Sequence, residues 1–331
     1  MTETIISVIG GAGFVGTNLC QRLSDNGIAF EIIDLRTSKR FPDHSKIGDV
    51  RKLDDLRATV TGTVVVNLAA VHRDDVTDRA EYYDTNVKGA ENTVALCTER
   101  AIRRIVFTST VAVYGFVHQE TGEDGKTDPF NDYGRSKLEA EKVFDVWGTD
   151  PQNTLTVVRP TVIFGEGNRG NVYNLFNQIN SGRFLMIGDG QNRKSLAYIG
   201  NVVAFLEECL VGARHENLTC NYVDMPNLDM NTLVSQVRGT LKGRTSVGLR
   251  LPRHVGLVLG HLADGVAKLS GRKLPISAIR VEKFTATTAF KSNTATMADF
   301  KRPFALEEGI ERTLQSEFIT PDPAREVFFT E

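Results

Sequence analysis

The sequence predicts an α/β fold, a doubly wound parallel sheet with a smaller mixed α/β C-terminal subdomain. Three observations carry this. Short β-branched runs alternate with helical patterns through the first half. The first run opens directly into closely spaced glycines, and after about residue 165 the texture changes to Gly/Asn-rich loops. Strands separated by helical patterns imply βαβ units and a sheet buried on both faces.

The elements follow in order. Ile5–Ile9 reads as a strand, followed by glycines and a helix to about Leu23. Phe30–Asp34 and Val64–Leu68 read as strands, and the stretch from about Asn86 to Arg100 as a helix. Arg104–Thr108 is a further strand and Tyr133–Trp147 a helix. Leu155–Arg159 ends in Pro160, which marks an edge or a strand exit. Later, Asn201–Leu210 is helical and Cys220–Val223 strand-like, among loops such as 165–171 and 188–190. The expected division is residues 1–165, with about 196–224 returning, as one domain, and 166–195 with about 225–331 as the second.

Composition narrows the classes. The chain has 331 residues, 39 Lys+Arg against 41 Asp+Glu, and 41% hydrophobic residues. That is enough apolar material for a full core, and the near-zero charge lacks the footprint of a nucleic-acid binder. Cys20, Cys97, Cys209 and Cys220 lie far apart with no metal-ligand spacing, so neither a disulfide scaffold nor a metal site is expected. No run approaches the roughly 18 apolar residues of a membrane span. The first residues carry no basic stretch of a signal peptide, so the expected location is cytoplasmic.

Gly10-Gly11-Ala12-Gly13-Phe14-Val15-Gly16 follows the first strand and opens a helix. Gly10 permits a tight turn, Gly13 lets the backbone approach a pyrophosphate, and Gly16 lets helix and strand pack closely. The helix N-terminus supplies N–H groups and a positive dipole end for phosphates. Asp34 ends the second strand, 18 residues after Gly16. An acid there accepts bonds from ribose hydroxyls and repels a 2′-phosphate, which favours NAD over NADP. Arg36 pulls the other way, because an arginine nearby can serve a 2′-phosphate.

Tyr133 and Lys137 stand at i and i+4, on one helix face. A free phenol near pKa 10 is a poor base at neutral pH. A neighbouring ammonium and an oxidised nicotinamide both favour the phenolate, and so make a usable base. Upstream, the strand running into Ser109 and Thr110 ends in hydroxyls at the sheet edge where α/β ligands bind.

With these residues in place the chain resembles an extended short-chain dehydrogenase/reductase of the NAD-dependent epimerase/dehydratase family, a Rossmann fold. The resemblance spans nearly the whole length. It includes the glycine loop, Asp34, Asp49-Val50, Asn67-Leu68-Ala69-Ala70, Asn86 to Gly89, the hydroxyl strand, Tyr133 with Lys137, Arg159-Pro160 and Leu306 to Gly309. It implies that Thr110 hydrogen-bonds the substrate hydroxyl, with Ser109 the second choice for that role. Tyr133 takes the proton, and Lys137 holds the nicotinamide ribose and lowers the tyrosine pKa. It also implies that Gly10, Gly13, Phe14, Val15, Gly16, Asp34, Asp49, Val50, Leu68, Ala69, Ala70, Asn86 and Lys137 bind NAD, and that the chain forms a homodimer through helices at about 86–101 and 133–147.

Val111-Ala112 follow Thr110, where the similar 4,6-dehydratases carry Asp-Glu. Neither residue donates or accepts a proton, so dehydration is disfavoured. C4 epimerisation through a transient 4-keto sugar, or net oxidation or reduction, remains. UDP-sugar enzymes of the family show Gly-Asp-Gly followed by Arg-Asp-Phe; here Gly188 to Gly190 is followed by Arg193, Lys194 and Ser195. The family's later Arg…Gly-Asp pattern is also missing between Val281 and Asp299.

From Arg250 to Lys273 there are Arg250, Arg253, Lys268, Arg272, Lys273, two His and a single acid, Asp264. Leu251, Val255, Val258, Leu262, Val266 and Leu269 make one apolar stripe at helical spacing. Such a helix packs on a core with a solvated basic face, or lies in a membrane interface.

Within the family the chain is most similar to bacterial epimerases of N-acetylglucosaminyl-diphospho-undecaprenol, which serve surface polysaccharide (O-antigen) biosynthesis. The strings at 71–75, 159–165, 168–174, 222–224 and 283–288 carry that similarity. It implies a sugar diphosphate on a lipid, with Ser109, Thr110, Arg169, Asn171, Arg193 and Lys194 as substrate contacts. It also implies peripheral contact with the cytoplasmic face of the inner membrane through about 250–273. The alternatives are a soluble UDP-hexose or UDP-N-acetylhexosamine 4-epimerase, and a 4-keto sugar reductase or dehydrogenase. A non-enzymatic NAD sensor has no use for the Thr110, Tyr133 and Lys137 set. His44, His72, His118 and His215 read as surface or structural, with a lesser functional reading for His72, which lies beside the Ala69-Ala70 loop, close to the expected nicotinamide.

Overall fold

The computed structural model describes residues 4–73, 76–117, 119–212, 216–270 and 278–330. His118, His215, Arg272, Lys273 and the acids at 74–75 lie outside the described residues, as do the side chains of Leu269 and Lys283.

The first unit runs β1 (Ile6–Ile9), α1 (Phe14–Asp25), β2 (Phe30–Asp34), β3 (Ser45–Ile47), α2 (Leu53–Thr59) and β4 (Val64–Asn67). It continues with α3 (Ala80–Tyr83), a π-helical turn over Asp84–Lys88, α4 (Gly89–Glu99), β5 (Arg104–Thr108), α5 (Asp132–Gly148) and β6 (Thr154–Pro160). There follow β7 (Val162–Phe164), α6 (Asn171–Asn180), β8 (Met186–Ile187), β9 (Arg193–Tyr198), α7 (Ile199–Val211), β10 (Leu218–Tyr222) and β11 (Asp224–Asp229). The rest is α8 (Met230–Lys242), β12 (Arg250–Leu251), α9 (Arg253–Ser270), α10 (Ala278–Thr285), α11 (Ala295–Asp299) and α12 (Leu306–Leu314).

Seven strands form one sheet in the order β10-β6-β5-β4-β1-β2-β3, and every pairing is parallel. Because side chains alternate across a strand, consecutive apolar residues feed two cores. Val8, Ile32, Val66, Val106 and Val158 face one, with Leu19, Phe205 and Leu206 of the covering helices. Ile9, Ile33, Val65, Ile105, Phe107 and Val157 face the other, with Leu96, Ala140, Phe144 and Trp147. The first core runs on into Phe164, Phe176, Leu196, Tyr198 and Val234 of the smaller sheet, β11-β9-β7, and its helices. β6 lies inside the large sheet, so Pro160 ends the strand rather than marking an edge.

Strand order reverses between β1 and β4. The crevice beyond their C-terminal ends is the topological switch point, where open α/β sheets place a ligand.

Candidate active site

The glycine loop lies in that crevice. Gly10 has φ +83°, and a Cβ there would stand 2.6 Å from the Ala69 nitrogen, so the loops after β1 and β4 meet only because no side chain intervenes. A Cβ on Gly16 would be 2.5 Å from the Gly10 carbonyl oxygen, which fixes how closely α1 approaches the loop. At Gly13 a Cβ would meet only the Gly10 oxygen, at 3.3 Å, and otherwise open space. No side chain caps α1, so its first N–H groups stay available to an anion. An open cradle with uncapped donors fits a dinucleotide diphosphate.

Asp34 ends β2 half-buried. Its carboxylate accepts from Ala12 N (3.0 Å) and Arg36 N (3.3 Å), while the Arg36 guanidinium donates to the Ala12 carbonyl (2.9 Å). Arg36 is thereby tied to the glycine loop. Asp49 is buried and bound by Arg51 through both oxygens, and that bond holds its carboxyl below the usual range. Val50 packs on Gly89, and its carbonyl accepts from Asn92 (2.9 Å). Asn86 is wholly engaged: it exchanges two hydrogen bonds with the Val71 backbone (3.0 and 3.1 Å) and donates to Ser136 Oγ (2.8 Å). It therefore ties the loop after β4 to α5.

Thr110 leaves β5 and caps a short 3₁₀ turn, its Oγ1 accepting from Ala112 N (3.1 Å). Asn131 caps α5 (2.9 Å), and a Cβ on Gly134 would press within 2.7 Å of the Ala112 carbonyl oxygen. This close seating brings Tyr133, the second residue of α5, into hydrogen-bond contact with Thr110. Ser109 Oγ is buried beside them without a partner among the described residues.

Lys137 lies one turn on, fully buried, its Nζ 4.1 Å from the centre of the Phe107 ring. Burial pulls its ammonium down to about 7, and Glu141 pulls it back. Burial also pushes the Tyr133 phenol up from its ordinary value, with the Thr110 bond opposing. In a site this dry, burial penalises both charged forms. A positive nicotinamide, when bound, supplies charge that the chain alone does not.

Sequence reasoning missed the support behind Lys137. Arg159 clasps Glu141 through two bonds (2.9 and 2.6 Å) and donates to Tyr114 Oη (2.7 Å), which in turn donates to Asn221 (2.9 Å). All four side chains are buried. The sequence signals were Glu141 at i+4 from Lys137 and Arg159 in the family-like Arg159-Pro160 pair; nothing in the sequence joined the two.

The substrate candidates divide. Arg169 is taken up by buried Glu317 and lies 4.1 Å from the Tyr173 ring centre. It thereby joins the loop before α6 to the segment after α12. Asn171 begins α6 and is exposed. Arg193 is exposed on β9, whereas Lys194 is half-buried, drawn down to about 8 by burial, and donates to the Ala286 carbonyl (2.7 Å). His72 is open to solvent yet hemmed in by protein, which with the charges of Lys137 and Arg73 lowers its pKa. No metal-binding cluster occurs among the described residues.

A model of the NAD dependent epimerase/dehydratase family matches residues 6–213. The N-acetyl-alpha-D-glucosaminyl-diphospho-ditrans,octacis-undecaprenol 4-epimerase of Escherichia coli O157:H7 is 43% identical over 325 residues, 96% of each chain. A UDP-glucose 4-epimerase of Vibrio cholerae is 27% identical over 339 residues, 94% of each. Among solved structures, a UDP-glucose 4-epimerase with UDP-glucose from Thermotoga maritima superposes with TM-score 0.73 at 18% identity, covering 94% of this chain and 98% of that one. A UDP-N-acetylglucosamine 4-epimerase from Bacillus cereus gives 0.72 at 17% identity with the same coverage. These two establish the fold.

Proposed function

The chain belongs to the NAD dependent epimerase/dehydratase family, and on that premise we propose that it is a C4-epimerase of an N-acetylhexosamine diphosphate carried on a polyprenol. The observation that carries the reading is the E. coli relative, alike over nearly the whole of both chains, together with an intact Thr110–Tyr133–Lys137 set and no acid at Val111-Ala112. NAD supplies the hydride acceptor and its return. Thr110 orients the C4 hydroxyl and Tyr133 takes its proton. Lys137, sustained by Glu141, holds positive charge next to the phenol. With neutral residues after Thr110, no group stands ready to expel water, so the keto sugar is reduced again. The cofactor residues are those of the cradle, from Gly10 to Gly16 with Asp34, Asp49, Val50 and Leu68 to Ala70.

The lipid carrier is supported by α9. Its small residues Gly256 and Gly260 are buried, with Gly256 against Ile187. Val258, Leu259, Leu262 and Val266 stay exposed on the opposite face, flanked by His254, His261 and Lys268. Val258, Leu262 and Val266 of the apolar stripe thus face solvent, while Leu251 and Val255 are half-buried, an arrangement suited to lying in a headgroup boundary. No helix among the described residues is long and apolar enough to cross a membrane, so the contact proposed is peripheral, on the cytoplasmic face of the inner membrane. A homodimer is proposed through α4 and α5. Between them runs an open groove of about 590 Å³, lined by Val94, Ala95, Val143, Val146 and Trp147 among others. A sedimentation mass of one chain would remove that part of the reading.

The test supplies the purified protein with UDP-N-acetylglucosamine in one arm and N-acetylglucosaminyl-diphospho-polyprenol in detergent in the other, and separates gluco from galacto products. Conversion confined to the lipid-linked sugar is expected. Equal conversion of the UDP-sugar would overturn the carrier assignment. Tyr133→Phe is expected to stop turnover by a factor of about 10² or more while the protein keeps NAD; full activity in that variant would sink the assignment of the base.

A further inference from the structure

The segment 326–330 returns to the crevice from the far end of the chain. Phe328 N donates to the Gly167 carbonyl and Arg169 N to the Phe328 carbonyl, both at 2.8 Å. Thr330 Oγ1 donates to Asn168 Oδ1 (2.6 Å). Glycine is needed beneath this strap: a Cβ on Gly167 would stand 2.8 Å from the Glu326 carbonyl oxygen, and one on Gly170 would stand 2.5 Å from Thr330 Oγ1. Side chains alternate along it. Val327 and Phe329 face out, at 38% and 68% exposed, while Phe328 is buried.

The inward contacts fall on both lips of the switch-point crevice. The Phe328 ring centre is 5.7 Å from that of Phe14, the first residue of α1 directly after Gly13. The backbone of Thr330 and that of Ala70 both lie against the His72 ring. Ala69, next to it, is where the β4 loop meets Gly10.

We infer that Phe328 and Thr330, with His72 beside them, belong to the cofactor site and form the outer wall over the NAD diphosphate. The inference rests on the reading that NAD lies in this crevice, and it deepens that reading. An epimerase must return hydride to the sugar from which it came, so a cofactor lost in mid-cycle strands a keto sugar. A reductase, by contrast, exchanges cofactor every turnover and has no use for a closed wall.

The test measures exchange of bound NAD for excess isotope-labelled NAD in the full chain, His72→Ala, Phe328→Ala and the double variant. Bound mass is read after rapid gel filtration, and far-UV circular dichroism confirms folding. His72 is exposed, so its truncation leaves the fold intact even where Phe328→Ala does not. NAD is expected to exchange about tenfold faster in His72→Ala, the effect of losing one or two contacts, and faster again in the double variant. A full chain that retains NAD while every folded variant exchanges it at the same rate would overturn the wall and leave the epimerase reading standing. A full chain that takes up no NAD would overturn the cofactor reading itself.

Discussion

Replacing Leu262 and Val266 together by serine removes the middle of the exposed α9 stripe without touching the sheet. The two side chains are 63% and 54% exposed, and Val258 and Leu259 beside them 58% and 47%. Full burial of such a side chain is worth about 1.5–3 kcal/mol. Roughly half of that, about 1 kcal/mol per residue, is still available when the helix enters an acyl boundary. The pair therefore contributes about 2 kcal/mol to partitioning, a factor of about 30. The assay is co-sedimentation with vesicles containing anionic lipid, at low and high salt. The variant is expected to bind about 30-fold more weakly, with its thermal midpoint little changed because these side chains bury little surface within the chain. Arg253, His254, His261 and Lys268 flank the stripe in the described structure, so binding of the unaltered chain should also weaken with salt. Turnover of the lipid-linked sugar in vesicles should fall with binding, while turnover in detergent stays the same. Unchanged partitioning of the double variant, or no vesicle binding by the unaltered chain, refutes the reasoning and leaves α9 as an ordinary packing helix.

Two further changes probe the scaffold. Gly16→Ala places a Cβ 2.5 Å from backbone atoms of Gly10 and Gly11 that have nowhere to go. It is expected to lower stability by about 1–3 kcal/mol, and NAD uptake should fall with it in a titration of the folded fraction. The second concerns acid. Burial alone would raise the Glu31 carboxyl, but bonds from Lys46, Ser7 and Thr61 outweigh it and hold the group below its ordinary value. A carboxyl lowered by folding stabilises the protein above the unfolded value, about 4.3, and that contribution drains away as pH falls through the folded one. The melting temperature should therefore drop on acidification below about pH 4.3. Glu31→Gln should be less stable at pH 7 and show a shallower drop; parallel melting curves for the two proteins would contradict this.

The parts of the molecule legible in the sequence are those that local spacing encodes. Glycines after a strand, an acid closing the second strand, and a Tyr–Lys pair one helical turn apart each form within a few residues of one another. Their geometry follows from strand and helix periods alone. The alternating runs likewise foretold a sheet buried on both faces, because its central strands supply two cores. What spacing cannot encode is which distant group answers a given side chain. That Arg169 pairs with Glu317, 148 residues away, is a product of the fold alone. Lys137 leans on Glu141, but what holds Glu141 is Arg159 at the end of another strand. The apolar stripe of α9 has the same period whether it faces core or solvent. Only the tertiary placement, with Gly256 and Gly260 turned inward, shows that Val258, Leu262 and Val266 face solvent. The strap over the crevice is the extreme case. Phe328 and Phe14 stand at opposite ends of the chain, and only the folded backbone, through its bonds at Gly167 and Arg169, closes one over the other.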